Sequence, residues 1–343
     1  MVGEHFFYNA VNTLLESDYG KLKKTYDRFG SWSSAWQNLS VKTGSRHDPE
    51  KEWDNLSLVG AKLILRDEPE FPETLKEIHD PPFGIYVLGK LPEKDSVLIA
   101  IVGTRKATSD GKNAAKRFAK ALAENGFTIV SGLALGIDAA AHEGCLEANG
   151  KTIAVLGCGI GRFYPSTNEH LANKIIKNGG AVISEYPPGT PPLPYRFLER
   201  NRIVSGICRG ILVVEAPEKS GSLVTARLAM EQNRDVFVMP GSVSHPNYRG
   251  SNQLIRSGAE LVTKPEEILQ AYGFEVSKSG AKPTADSEEE QNILDAFKKS
   301  SAPMTVDKIK ELTNLDTPTI SRTLTLMIIK NIAEETGGGY IIK

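Results

Sequence analysis

A chain of 343 residues with 24% charged and 40% hydrophobic residues is globular and long enough for two or three domains. Its net charge of −1 hides an uneven distribution: residues 97–260 carry 19 Lys and Arg against 13 Asp and Glu, a net of +6, so the remaining segments together carry −7. Three cysteines without a C-x-x-C pair, six histidines without ligand spacing, and no membrane-length or signal-like apolar run argue against disulfide, zinc, membrane and secreted classes, leaving a cytoplasmic protein as the expectation.

Residues 1–65 read helical and hold all three tryptophans, Trp32, Trp36 and Trp53, with a polar break around Lys42 to Pro49, as in a small separate helical domain. Lys62 to Leu65 restarts an apolar pattern, and a Pro-rich connection, Phe71-Pro72 to Asp80-Pro81-Pro82, leads to an added strand at Gly84–Leu88. Between residues 97 and 241 one device then recurs six times: a short apolar run ends on a Gly-rich or polar turn that usually opens a helix. The runs are Val97–Val102, Thr128–Val130, Thr152–Leu156, Ala181–Ile183, Ile211–Val214 and Val236–Met239. Continuous Val, Ile and Leu runs alternating with helices predict strands buried on both faces of a parallel sheet with right-handed crossovers. All six turns then lie along its carboxyl edge, where open α/β sheets bind ligands.

Ala271 to Ser287 mixes Gly, Ser, Lys and Pro with little periodicity and reads as a linker. Beyond it come helical patterns at Glu288–Phe297, Thr305–Leu312 and from Thr317 or Thr319 to Ile329, then a hairpin around Gly337-Gly338-Gly339, together spelling a winged helix-turn-helix. From residue 286 on, this module carries 7 basic and 10 acidic residues, so a protein-interaction or autonomous-fold role is expected over sequence-specific duplex binding.

Four turns carry the chemistry. Gly103-Thr104-Arg105-Lys106 follows the first run directly; a guanidinium there binds a phosphate bidentately, Lys106 acts as a looser point charge, and a surface salt bridge is the alternative for Arg105. Ser131-Gly132-Leu133-Ala134-Leu135-Gly136-Ile137-Asp138 couples a strand to an Ala-rich helix and points helix-start amides outward, or else its glycines merely allow close packing. It is not the G-x-G-x-x-G dinucleotide fingerprint, and no acidic residue ends the next strand, which argues against NAD. His142, one turn after Asp138, reads as a satisfied helix histidine. A proline-laden loop, Pro187 to Pro194, then sets Tyr195, Arg196 and Phe197 before Arg200, Asn201 and Arg202, a mixture of cation and aromatic suited to stacking bases and gripping backbone; one of the two central arginines is expected to be structural. Lys219-Ser220-Gly221-Ser222 opens a further helix as an anion cradle, with a plain N-cap as the alternative. Glu185 and Glu215 end strands, but there is no Walker motif, no nucleophile elbow and no paired carboxylates at metal spacing. The edge therefore reads as a binding surface, with no catalytic residues, no metal and no cofactor expected.

At these residues the chain resembles the DNA-processing protein A (DprA, or Smf) family. Matching pieces include Phe71 to Leu75, Ile101 to Arg105, Val130 to His142, Phe197 to Ile203, Ser220 to Ser222 with Thr225-Ala226, Pro240-Gly241 and Asn252 to Ile255, in consistent order over about 70–260. The resemblance implies an α/β fold: an extended Rossmann-like core (66–272) behind a SAM- or helix-hairpin-helix-like domain (1–65), then a linker (273–287) and a winged helix (288–343). It further implies a non-catalytic, dimeric protein that binds single-stranded DNA, protects incoming strands and assists RecA loading in natural transformation, with single-strand-binding protein as a further partner. By similarity the DNA pocket takes Arg105, Ser131, Gly132, Arg200, Asn201 and Arg202, closed by Ser220-Gly221-Ser222. A Rossmann-type nucleotide hydrolase using Glu185 or Glu215 and a winged-helix duplex regulator are the alternatives; the P-G-G-x-G-T turn of the former is absent, since Pro240-Gly241 continues Ser242-Val243-Ser244.

Overall fold

The computed structural model describes residues 3–43, 48–274, 285, 287–297, 303–330, 332–336 and 339–342. The chain up to Phe274 forms one compact unit and the chain after it a second.

Four helices lead the first unit: α1 (Glu4–Leu14), α2 (Tyr19–Phe29), α3 (Trp32–Thr43) and α4 (Pro49–Val59). Asp18 and Asp48 cap α2 and α4 by accepting from backbone amides of the first turn. Their apolar faces are not self-sufficient: Tyr8, Val11, Leu22, Trp32 and Leu56 share a core with Phe83, Tyr86 and Leu156. The helical segment expected to stand apart over 1–65 is thus packed onto the sheet, and its boundary falls at the end of the first strand, β1 (Lys62–Leu65).

After β1 come the short α5 (Glu73–Lys76) and β2 (Gly84–Gly89), then the repeating units. These are β3 (Leu98–Val102), α6 (Ser109–Glu124), β4 (Thr128–Ser131), α7 (Ile137–Glu147), β5 (Thr152–Leu156), α8 (Glu169–Lys177), β6 (Ala181–Ser184) and α9 (Pro194–Gly206). They continue with β7 (Gly210–Val213), α10 (Gly221–Glu231), β8 (Asp235–Val238), α11 (Arg249–Arg256), β9 (Glu260–Leu261) and α12 (Pro265–Ala271). All six apolar runs are strands, with ends displaced by one residue at most. Their continuous apolarity has the expected cause: β5 turns Ile153 and Val155 into one core and Ala154 and Leu156 into the other.

The nine strands lie in the order β1-β2-β6-β5-β4-β3-β7-β8-β9. β3 to β9 are parallel, whereas β2 and β1 extend the sheet antiparallel beyond β6. The two-residue β9 has no counterpart among the predicted runs. The chain steps outward from β3 through β4 and β5 to β6, then returns to β7 on the other side of β3. This reversal opens a crevice outside the carboxyl ends of β3 and β7, where neighbouring connections diverge.

The second unit holds α13 (Glu288–Phe297), α14 (Val306–Thr313), α15 (Thr317–Ile329) and an antiparallel pair, β10 (Ala333–Thr336) and β11 (Gly339–Ile342). Ile293, Leu294, Ile309, Ile320, Leu324 and Met327 give it a core of its own. Thr305 caps α14, accepting from the Lys308 amide. Of the expected linker 273–287, residues 275–284 and 286 lie outside the described residues. Among the described residues no helix is long and apolar enough to cross a membrane, and no group of three His, Cys, Asp or Glu side chains is placed to hold a metal ion.

Candidate nucleic-acid interface

The crevice between β3 and β7 holds a cleft of about 470 Å³ built from five separate connections. Gly103, Thr104, Arg105 and Lys106 come from the turn after β3, and Gly132, Ala134 and Asp138 from the turn after β4 and the start of α7. Tyr164 comes from the β5–α8 loop, Pro192 from the proline loop, and Phe197, Leu198, Arg200 and Asn201 from α9. Lys219, Ser220, Gly221 and Ser222 close it at the start of α10. Eleven of the thirteen residues expected to touch DNA therefore line one cavity, and Ser131 and Arg202 do not.

The two exceptions have physical causes. Ser131 ends β4 fully buried, and its hydroxyl donates to the Ile101 carbonyl at 2.7 Å, stitching adjacent strands. Arg202 lies two residues beyond Arg200 on α9, about 200° around the helix at 3.6 residues per turn, so it leaves on the opposite side. There its Nη2 donates to both carboxylate oxygens of Glu185 at 2.6 Å, and its guanidinium sits 5.4 Å from the centre of the Tyr19 ring. With side-chain exposures of 13% and 4%, the pair is an internal one.

Arg200 reaches the cleft but is held from beneath. Only 4% exposed, it donates through Nη1 to the carbonyls of Gly132 and Val155. Asp138 shares this floor: its Oδ2 accepts from the amides of Gly132 at 3.1 Å and Ala134 at 3.4 Å. Burial raises the Asp138 pKa, opposed by Arg200 and by those amides. The turn amides expected to face a ligand are thus satisfied internally, because the first carboxylate of α7 folds back over its own turn. Both central arginines make internal contacts, where one was expected to.

Gly132 and Gly136 are required for close approach. A Cβ on Gly132 would lie 2.6 Å from both Nη atoms of Arg200 and 2.7 Å from Asp138 Oδ2. Gly136 has φ +82°, and a Cβ there would meet the carbonyl oxygens of Thr104 at 2.4 Å and Arg105 at 2.7 Å. The β4 turn therefore braces the β3 turn that carries Arg105.

Arg105, Lys106 and Lys219 are exposed and form no ion pair among the described residues. They converge on the cleft from two connections that flank the crevice. The Arg105 guanidinium lies 5.4 Å from the Phe197 ring centre. Ser220 caps α10 by accepting from the Ser222 amide at 3.2 Å, and its hydroxyl shares a hydrogen bond with that of Ser222. The cap and the cradle are therefore one structure: a helix start with hydroxyls and Lys219 at its mouth.

Neither strand-end glutamate is among the residues lining the cleft. Glu185 is held by Arg202, as above. Glu215, fully buried, accepts from the Thr108 amide and hydroxyl, Asn247 Nδ2 at 2.9 Å and Tyr248 OH at 3.1 Å, fastening the start of α6. Burial favours its neutral form, but these hydrogen bonds outweigh it and hold the carboxyl below the usual range. His142 is buried, with Nδ1 2.7 Å from Thr152 Oγ1, and burial together with Arg200 lowers its pKa to about 3. It is a buried helix histidine, as its position suggested, but only half satisfied: Nε2 has no hydrogen-bond partner among the described residues.

Tyr164, Leu198 and Asp138 line the cleft although sequence reasoning did not include them among the binding residues. Tyr164 lies far in sequence from any of the four motifs, and nothing in its local pattern marks it.

The family model for DNA recombination-mediator protein A matches residues 62–273. The Smf protein of Escherichia coli is 46% identical over 212 residues, 62% of this chain and 57% of that protein. The DNA processing protein DprA of Streptococcus pneumoniae is 44% identical over 204 residues, 60% of this chain and 72% of that one. The crystal structure of that pneumococcal protein superposes with a TM-score of 0.63 at 34% identity, covering 78% of this chain and 93% of that one. DNA processing protein A of Helicobacter pylori, solved for its single-stranded DNA binding mode, superposes with a TM-score of 0.56 at 31% identity, covering 62% and 95%. The matched segments span 57% of the E. coli relative and 58% of the Synechocystis one.

Proposed function

This chain belongs to the DNA recombination-mediator protein A family, and we propose that its cleft at the β3/β7 crevice holds single-stranded DNA by the sugar-phosphate track. The observation that carries this reading is the convergence of Arg105, Lys106 and Lys219, all exposed and without a described carboxylate partner, on one cavity beside a helix start. A polymer with a charge at every repeat suits a row of cations, whereas a dinucleotide needs an acidic ribose anchor that β5 does not supply. The H. pylori relative, solved in connection with single-stranded DNA binding, supports the same ligand here. We read the protein as a binder without bond-breaking chemistry, since a hydrolase would need Glu185 or Glu215, and both carboxylates are held by internal partners away from the cleft.

The wider role we propose is that of a cytoplasmic recombination mediator, acting as a homodimer that protects incoming strands, assists RecA loading in natural transformation, and meets single-strand-binding protein on the same DNA. The acidic balance of the segment from residue 286 on favours a protein-facing role for its three helices and strand pair over duplex reading.

Anisotropy titration of a labelled oligonucleotide over a salt series tests the cleft. Three cations, each neutralising one phosphate at about −0.7 in slope, predict that log affinity falls against log salt with a slope of about −2. Arg105→Ala should weaken binding and reduce that slope to about −1.4. An unchanged affinity and slope in both Arg105→Ala and Lys219→Ala would remove the assignment.

A further inference from the structure

The helical layer meets the sheet through directed hydrogen bonds as well as apolar contact, and those bonds lead to α9. On α1, Asn9 and Asn12 are fully buried next to Tyr8 and Val11, which belong to the core shared with Tyr86. Asn12 Nδ2 donates at 3.2 Å to Tyr86 OH of β2, and at 3.2 Å to the backbone carbonyl of Glu185, the residue that follows β6. Tyr86 OH in turn donates to Asn9 Oδ1 at 2.9 Å. Tyr8 OH, Asn9 Nδ2 and Asn12 Oδ1 are buried without a hydrogen-bond partner among the described residues. Stranded polar atoms of this kind carry a desolvation cost that a purely apolar seam avoids. Directed bonds supply in return one fixed register, which apolar faces free to slide do not.

The segment held in that register is the clamp on α9. Glu185 grips Arg202, and beside it Tyr186 OH donates to Glu199 Oε2 at 3.0 Å. Glu199 and Arg202, three residues apart, share one face of α9. Phe197, Arg200, Asn201 and Val204, spaced three and four apart, form another face, and all four line the cleft. Two anchors on the back of the helix therefore set the rotation of the face that the cleft uses. Asn12 holds the anchor segment from the helical layer and is not itself among the residues lining the cleft. We propose that Asn12 is a positioning residue for the cleft: through the Glu185-Tyr186 segment, the helical layer fixes α9 at the rotation in which Phe197, Arg200 and Asn201 face the DNA. The inference rests on the single-strand reading above and adds a means of regulating the same site, because a shift of α1 against β2 and β6 reaches the cleft without touching it.

The test uses the full chain and a labelled oligothymidylate titrated over a salt series. Losing a phosphate contact changes the slope of log affinity against log salt, whereas a displaced helix with every cation retained weakens binding at each salt concentration and leaves the slope as it was. Substitutions along a chain of coupled contacts change affinity by about 2- to 30-fold. Asn12→Leu, which keeps the volume and removes the donor, should therefore weaken binding by about that factor along a parallel line. Val11→Ala is the control for loosened packing: fully buried next to Asn12 in the shared core, it lowers the melting temperature and should bind as wild type does. Asn12→Ala provides a second variant if Asn12→Leu disturbs folding. Wild-type affinity in the folded Asn12 variant overturns the positioning role, and so does an equal loss in Val11→Ala, which would trace the effect to packing in general. A reduced slope in the Asn12 variant also overturns it, since the cations would then have been disturbed instead of α9. Failure of the wild-type protein to bind the oligonucleotide sinks the single-strand reading itself.

Discussion

Replacing Arg202 separates a DNA contact from a structural one, because the RNR triplet on α9 contains both kinds of candidate. Arg202→Ala would remove the two 2.6 Å contacts to Glu185 and leave a carboxylate whose side chain is 4% exposed without its cation. Breaking a buried pair by deleting one partner costs about 3–5 kcal/mol, mostly the penalty of the stranded charge. For a unit of this size each kcal/mol shifts the melting temperature by roughly 2–4 °C, so a fall on the order of 10 °C is expected. All three tryptophans lie in α3 and α4, and Trp32 belongs to the core shared with the sheet, so intrinsic fluorescence reports on this unit. Adding Glu185→Gln to Arg202→Ala removes the stranded charge and should recover part of the loss. At temperatures where the variant is folded, its oligonucleotide salt slope should match wild type. An unchanged melting temperature with a reduced salt slope would refute this reasoning and make Arg202 a phosphate contact.

Two other perturbations follow from the same packing. His142 has its pKa lowered by burial, and further by Arg200, to about 3, against 6.5 as the usual value. The unfolded chain therefore binds its proton more tightly, and the stability contributed is whole above pH 6.5 and lost as pH falls toward 3, at up to about 1.4 kcal/mol per pH unit. His142→Gln should flatten the melting-temperature profile between pH 6.5 and 4.5; an identical profile in the variant would show that another group governs the acid limb. Gly136→Ala places a methyl 2.4 Å from the Thr104 carbonyl oxygen at a φ of +82°, so it should destabilise by about 1 kcal/mol or more and, by displacing the Arg105 turn, weaken oligonucleotide binding. Retained affinity in a destabilised variant would mean that Arg105 is positioned independently of α7.

The separate elements were legible in the amino-acid sequence because their determinants are local. Strands buried on two faces must be apolar throughout, each of the six runs between 97 and 241 ends on a Gly-rich or polar turn, and capping hydroxyls, Thr108 and Ser220, start the helices after two of them. The cation-bearing turns at Arg105 and Lys219 could be found the same way. Nothing local shows that these two turns, more than a hundred residues apart, are neighbours; that follows from the return of the chain to β7 beside β3. Nor could composition separate Arg200 from Arg202. A triplet reads as one basic cluster, yet the turn of α9 sends one side chain to the cleft floor and the other to Glu185. The amides after β4 looked free because the sequence does not state that Asp138 folds back to accept from them. Tyr164 is the clearest case: its loop carries no motif, and only the packing of that loop against α9 brings its ring beside Phe197. Sequence alone determined which chemistry was available at each strand end. The strand order and the rotation of α9 decided which of those groups meet, since proximity between distant segments is set by the closed core and not by any one of them.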